Sequence, residues 1–211
     1  IRVREIHFFE AHTCHVDEAD ATRQIEEDLE IAARLMHDLC LPTLVARRPL
    51  WDTFPGAHYT VGIDVVMPDG RTLQVASVHH YRDQWARAFD VRYEDAQGEQ
   101  QYCHQTTYGM SERLLGAVVG VHGDDRGLIL PPAIAPHQAV IVPVLAKEGA
   151  DDVLAACHEL QAQLREAGLR IHLDDRDLRP GQKYYDWEIR GVPLRLELGP
   201  RDLASGECVL A

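Results

Sequence analysis

The chain has 211 residues, 45% of them hydrophobic and 26% charged, with 21 Lys and Arg against 34 Asp and Glu for a formal net charge of −13. That composition supplies enough apolar material for one or two packed domains and excludes a disordered or fibrous chain. No global basic field marks a nucleic-acid binder, although a local arginine stripe can meet phosphates on an otherwise acidic protein.

The five cysteines, Cys14, Cys40, Cys103, Cys157 and Cys208, are scattered and form no CxxC pair. Their number and spacing argue against a disulfide framework or a four-cysteine zinc site and point to a reducing cytoplasm. No apolar run approaches the roughly 18–20 residues of a membrane span. The opening Ile1-Arg2-Val3-Arg4-Glu5 lacks an initiator Met and a signal segment, and reads as a strand already under way. A fragment of a longer chain is the expectation.

Residues 2–15 alternate and predict a strand whose one face carries Phe8, Glu10, His12 and Cys14, an unusually polar set. Residues 18–40 place Ile25, Leu29, Ala32, Met36 and Leu39 at three- and four-residue steps, the mark of an amphipathic helix, which Leu41-Pro42 ends. Residues 59–67 and 72–79 read as strands joined at Pro68-Asp69-Gly70. A second hairpin, 89–94 with 101–107, is expected around Asp95–Gly98, and a short helix containing Trp85 connects the pairs. The sheet is therefore antiparallel. Residues 111–121 predict an almost wholly apolar, buried helix carrying Leu114, Leu115, Ala117, Val118, Val119 and Val121.

Three prolines within Pro131–Pro136 predict a boundary, because proline resists both helix and sheet. Beyond it a strand at 138–145, a helix at 151–167, a strand at 169–173, a helix at 180–190 and a strand at 192–198 form an alternating α/β module. Two domains are expected, 1–132 and 137–211.

Three clusters carry chemistry: Arg2 and Arg4 with Glu10, His12 and His15; Gln74 with His79 and His80; and Gly109-Met110-Ser111-Glu112-Arg113. Each lies at the end or on the polar face of a sheet element, and arginines there suit phosphate oxygens. Ordinary roles compete with these. Glu10, His12, Cys14 and His15 are also zinc-ligand types; His79-His80 can be a satisfied core pair; Ser111 can simply cap the helix that follows. The segment 109–113 lacks the second glycine of a serine nucleophile elbow, and no catalytic nucleophile is assigned.

Several blocks resemble the prolyl-tRNA synthetases of the archaeal and eukaryotic type: Arg2-Val3-Arg4-Glu5-Ile6-His7-Phe8-Phe9-Glu10-Ala11-His12-Thr13, Phe54-Pro55-Gly56-Ala57-x-Tyr59-Thr60, and Asp69-Gly70-Arg71-x-Leu73-Gln74. Tyr108-Gly109-Met110-Ser111-x-Arg113 and Val121-His122-Gly123-Asp124-Asp125-Arg126-Gly127 continue the likeness into the third class II motif. His172-Leu173-Asp174-Asp175-Arg176-Asp177, Pro180-Gly181-x-Lys183, Trp187-Glu188 and Arg195-x-Glu197-x-Gly199-Pro200-Arg201 are similar to the anticodon-binding domain. The resemblance runs through essentially the whole chain.

It implies an α/β fold class, an α+β catalytic domain with the class II antiparallel sheet followed by an α/β anticodon-binding domain. It also implies an ATP- and Mg2+-dependent enzyme that activates proline as prolyl-adenylate and passes it to tRNA(Pro), cytoplasmic, homodimeric and without a membrane segment. By the same resemblance Arg2, Val3, Gln74, Ser77, Ser111 and Arg113 belong to the ATP site, with Gln74 also on the metal. Phe8, Glu10, His12 and His79 shape the proline pocket, and Asp175, Arg176, Lys183, Glu188, Glu197 and Arg201 meet the anticodon. On the residues alone, 174–177 reads as well as a solvated, self-paired turn. The family's first motif, its α-phosphate arginine and its Thr-Pro-Glu loop are expected upstream of Ile1, and a further segment beyond Ala211. Phe8, Phe9 and Ala11 stand where the family usually carries Trp, Gln and Gly, and Ala76–Arg82 departs from its Gly-Thr-Ser-His pattern. That last departure leaves open a synthetase-like module that binds tRNA or nucleotide without ligating.

Overall fold

The computed structural model describes residues 4–146 and 148–211. It divides between Val121 and His122 into two compact units.

In the first unit a five-stranded sheet has the order β1-β7-β4-β3-β2, antiparallel throughout. Its strands are β1 (Phe8–His15), β2 (Thr43–Arg47), β3 (Tyr59–Val66), β4 (Thr72–Arg82) and β7 (His104–Ser111). Helix α1 (Glu18–Asp38) starts where the Asp17 carboxylate accepts from Asp20 N at 2.7 Å, satisfying an orphan donor of the first turn. It buries Ala21, Ile25, Ala32 and Met36 on one stripe, as the periodicity predicts. The stripe packs on β4 and β7, where Val78 and Tyr108 are buried, so the alternate residues of those strands are left for the other face.

The expected second hairpin is divided. Strands β5 (Arg92–Glu94) and β6 (Gln100–Tyr102) form a separate two-stranded ribbon, and the chain changes partners at Cys103 to continue as β7 between β1 and β4. Between β4 and the ribbon lies α2 (Gln84–Phe89), the short helix with Trp85. Helix α3 (Arg113–His122) buries Leu114, Ala117 and Val118 but exposes Leu115 and Val119, so it is covered on one side rather than buried all round. Strand β2 has no counterpart in the sequence reading: it is a short edge strand with Leu44 and Val45 exposed.

The second unit carries a four-stranded sheet, β11-β10-β8-β9, made of β8 (Ala139–Pro143), β9 (Ile171–Leu173), β10 (Arg195–Leu198) and β11 (Val209–Leu210). Strand β8 is parallel to both neighbours and β11 closes one edge antiparallel. Helix α4 (Ala150–Glu166) covers the face of Ala139 and Ile141, while α5 (Pro180–Ile189) brings Trp187 onto Val140 and Val142. A last helix, α6, spans Pro200–Ser205.

The division falls ahead of the proline-rich stretch because residues 123–130 hydrogen-bond onward. Leu128 N donates to Glu188 O at 3.1 Å and Leu130 N to Gly191 O at 3.0 Å. Pro131–Pro136 is itself tied down, since Arg170 donates to the carbonyls of Pro132 (2.7 Å) and Ala135 (3.0 Å).

Candidate active site

The sheet face turned away from α1 holds a trough of about 290 Å³ lined by Phe8, Glu10, Arg48, Asp52, Phe54, Thr60, Gln74, Ser77, His79 and Gly109. One row across the strands sets its floor: Glu10 pairs with Gly109, Gly109 with Ser77, and Ser77 with Gly62. Gly109 and Gly62 are needed there for room. A Cβ on Gly109 would stand 2.7 Å from Phe8 Cε1, and one on Gly62 would collide with the Arg48 guanidinium. Phe8 and Arg48 thus fold over the two glycines from either side, and the trough runs between them.

A β-bulge explains how Gln74 joins this face. The β3–β4 register passes from Ile63 opposite Ala76 to Asp64 opposite Gln74, leaving Val75 as the extra residue. Gln74 and Ser77 therefore share a side although three positions apart, while Val75, Ala76 and Val78 are buried.

His79 is held by hydroxyls at both ring nitrogens, Thr60 Oγ1 at 2.8 Å from Nδ1 and Ser77 Oγ at 3.1 Å from Nε2. Phe54 lies against the ring at 4.9 Å between centroids. Burial pushes the His79 pKa below its ordinary value, against a smaller opposing pull from Glu10. His79 is accordingly a neutral, fixed imidazole and Glu10 the accessible carboxylate of the wall.

Gln74 and Ser77 also line an adjoining cavity of about 300 Å³ with Ser111 and Arg113. Arg113 Nη1 donates to Gln74 O at 3.1 Å, its Nε is buried without a partner, and Ser111 Oγ accepts from Arg113 N at 3.3 Å. Of the four residues expected around proline, Phe8, Glu10 and His79 come together. His12 does not line the trough; it is paired with Thr107 Oγ1 at 3.1 Å and Glu10 at 3.4 Å and faces an aromatic pocket with Phe54, Tyr81 and Trp85. Arg2 and Val3 lie outside the described residues. Among the described residues no group of three or more His, Cys, Asp or Glu is arranged to hold a metal, so Glu10, His12, Cys14 and His15 do not converge as ligands. Arg48 and Asp52 were not singled out from the sequence, and Thr60 entered only as the end of the block that starts at Phe54; the one signal for Arg48 was the Arg47-Arg48 pair at the end of the unread strand β2.

In the second unit the expected anticodon residues separate. Lys183 is buried, with Nζ donating to Asp174 O at 2.8 Å, so it cannot meet a phosphate. The reason is helical spacing: Lys183 and Trp187 lie four apart on the inward face of α5. Arg176 is bidentate to buried Asp174, Nε–Oδ1 2.8 Å and Nη2–Oδ2 2.7 Å, and also reaches Asp186. Burial alone would raise Asp174, but the hydrogen bonds from Arg176 and Trp187 win and bring it down to about 2. Glu188 and Glu197 both accept from Arg195, and Glu197 accepts from Tyr184 Oη at 2.8 Å. Burial and that carboxylate push Tyr184 up to about 12. Asp175 and Arg201 are exposed.

Residues 1–122 match the family model described as the tRNA synthetase class II core domain (G, H, P, S and T), and residues 138–211 match the anticodon binding domain. The chain belongs to the class II tRNA synthetase family. Within it the chain is 57% identical to the proline–tRNA ligase of Thermococcus kodakarensis and 56% identical to that of Pyrococcus abyssi, in each case over 100% of this chain and 44% of the relative. The solved Giardia lamblia prolyl-tRNA synthetase in complex with prolyl-adenylate superposes with a TM-score of 0.95 at 40% identity, again over 100% of this chain and 44% of that one. The chain thus spans less than half the length of the curated relatives it matches. Among the described residues no helix is long and apolar enough to cross a membrane.

Proposed function

We propose that the whole protein is a proline–tRNA ligase, which joins proline to ATP as prolyl-adenylate and transfers the prolyl group to tRNA(Pro). The observation that carries this is 57% identity over the entire chain to a proline–tRNA ligase. Phe8, Glu10, Gln74, Ser77 and His79 facing one trough add to it. In-line attack of a carboxylate on the α-phosphate needs positioning and charge stabilisation rather than a protein nucleophile. Glu10 accepts from the proline imino group, Phe8 and Phe54 wall the ring, and neutral His79 orients by hydrogen bonding. Gln74, Ser77, Ser111 and Arg113 take the nucleotide, with the Arg113 plane against adenine.

Gln74, which lines both the trough and the adjoining cavity, would offer its amide oxygen to a Mg2+ ion carried by the triphosphate. Such a site, built on substrate phosphates with few protein ligands, is ordinary for Mg2+. The ion would offset charge on the phosphates. Exposed Asp175 and Arg201, with the outer edge of Arg176, are the anticodon-facing groups. A homodimer in the cytoplasm completes the reading.

The segment that suggested a non-ligating module keeps its departures from the family pattern largely off the trough. Ala76 and Val78 point into the core, and Arg82 turns to Glu18, Nη2–Oε1 2.8 Å, on the side of α1. Proline-dependent ATP–pyrophosphate exchange by the whole protein tests the proposal. Exchange with proline and not with other amino acids is expected; ATP binding without exchange on any amino acid would overturn it.

A further inference from the structure

Cys14 and Cys103 come from distant parts of the sequence and meet in the fold. Cys14, near the end of β1, stands opposite Gln105 of β7, and Gln105 Nε2 donates to its Sγ at 3.9 Å. Cys103 comes two residues before Gln105, at the one position between the β5–β6 ribbon and β7, and it belongs to neither ladder. The two thiols share a side-chain hydrogen bond, and Cys103 Sγ also reaches Val91 O at 3.8 Å. Burial first, and the bond to Cys14 second, raise Cys103 to about 11. Cys14 is exposed, whereas Cys103 is buried. Thiols in contact need only side-chain rotation to approach the roughly 2 Å of a disulfide. At Cys103 no ladder pairing resists the small backbone shift that goes with it.

We propose that Cys14 and Cys103 form a reversible disulfide, an oxidation site that reacts with hydrogen peroxide. The Cys14 sulfur attacks the peroxide, an S–O bond forms, the O–O bond breaks, and the departing oxygen leaves as water with the thiol proton. Cys103 then attacks the sulfenic sulfur of Cys14; the S–S bond forms, the S–O bond breaks, and a second water carries off the Cys103 proton. Two electrons pass from the two thiols to one peroxide. A thiol reductant returns both cysteines by exchange. The adjacent thiol thereby diverts Cys14 from the irreversible sulfinic and sulfonic acids. The bond would join β1 to the start of β7, the two strands that contribute Glu10 and Gly109 to the floor of the trough.

The test treats the whole reduced protein with hydrogen peroxide, blocks the remaining thiols with iodoacetamide in denaturant and maps tryptic peptides without reduction. Cleavage after arginine leaves Cys14 as the one cysteine of residues 5–23 and Cys103 as the one cysteine of residues 93–113. A linked pair of these two peptides, lost on treatment with dithiothreitol, is expected as the main oxidation product of Cys14. Folded Cys103→Ala should accumulate several-fold more Cys14 sulfinic and sulfonic acid than wild type at the same peroxide dose. Cys14→Ala, at an exposed position and safe for folding, should leave Cys103 reduced. Equal overoxidation of Cys14 in wild type and Cys103→Ala overturns the site. So does a link from Cys14 to Cys40 or Cys208 in place of Cys103, and so do both thiols surviving peroxide intact. If Cys103→Ala does not fold, the wild-type map decides alone, and absence of the linked pair overturns the site.

Discussion

Lys183 Nζ donates to the backbone carbonyl of Asp174 at 2.8 Å from a position 1% exposed, so a cation expected to face RNA is part of the core of its unit. Truncation there removes a long packed stem and a hydrogen bond. Lys183→Ala should cost about 2–4 kcal/mol in urea unfolding, and amino-acid activation and tRNA charging should fall in parallel. Lys183→Met keeps the volume and should cost less. Loss of charging alone, with stability intact, would return Lys183 to the RNA-binding surface.

Asp174 ties this region to pH. Its folded pKa of about 2 is below the ordinary 3.8, so its stabilisation is complete above about 4 and is lost as pH falls through the folded value. The contribution is about 2 kcal/mol for this buried group. Melting curves between pH 6 and pH 2 should therefore fall more steeply for wild type than for Asp174→Asn. Parallel curves would show that the Arg176 and Trp187 hydrogen bonds do not hold the carboxylate ionised.

His80 works in the opposite region of the pH scale. It is fully buried, its Nδ1 accepts from Arg82 N at 3.1 Å, and its ring stacks on Tyr59 with centroids 5.2 Å apart. Burial lowers its pKa from 6.5, only partly countered by Glu18. A depressed imidazole contributes stability that is present above pH 6.5 and lost as pH falls through the folded value. His80→Phe keeps the stacked ring and should lose less thermal stability than wild type between pH 7.5 and pH 5. His80 ring signals titrating at or above 6.5 in an NMR series would contradict this.

Gly109→Ala probes the floor of the trough. The new methyl would stand 2.7 Å from Phe8 Cε1, and Phe8, 55% exposed, can swing away. Folding should survive while the trough loses its wall, raising the KM for proline about tenfold. A KM unchanged in the folded variant would remove Phe8 from the amino-acid site.

Thiol chemistry follows burial. Cys103 and Cys157 are buried, with burial pushing each up to about 11, whereas Cys14, Cys40 and Cys208 are exposed. Iodoacetamide at pH 8 should label these three in the native chain and Cys103 and Cys157 only after denaturation, as read by mass spectrometry.

The elements legible in the sequence are those whose periodicity is set by one continuous partner. Helix α1 shows its buried stripe directly, and β8 its uninterrupted Val-Ile-Val run. Cys103 escapes because the run across 100–111 has no break in pattern; its halves pair with different strands, a tertiary choice without a local signal. Strand β2 escapes because an edge strand need not alternate. In the site, Glu10 and His79 stand out as polar residues in strands, but Arg48 reaches the trough across a glycine fourteen positions away in sequence, a relation only the folded sheet reveals. The inward turn of Lys183 was readable in part, since its four-residue spacing from Trp187 places both on one helical face.

The bulge at Val75 gives the middle of β4 an uneven tolerance to changes in length. Losing Val75 would restore an unbroken ladder and still leave Gln74 two places before Ser77, on the trough side. Losing Val78 instead would carry His79 into the core and bring His80 to the trough, turning part of the strand inside out. Deletions three residues apart thus have opposite fates, and this strand can shorten only where it already carries a spare residue.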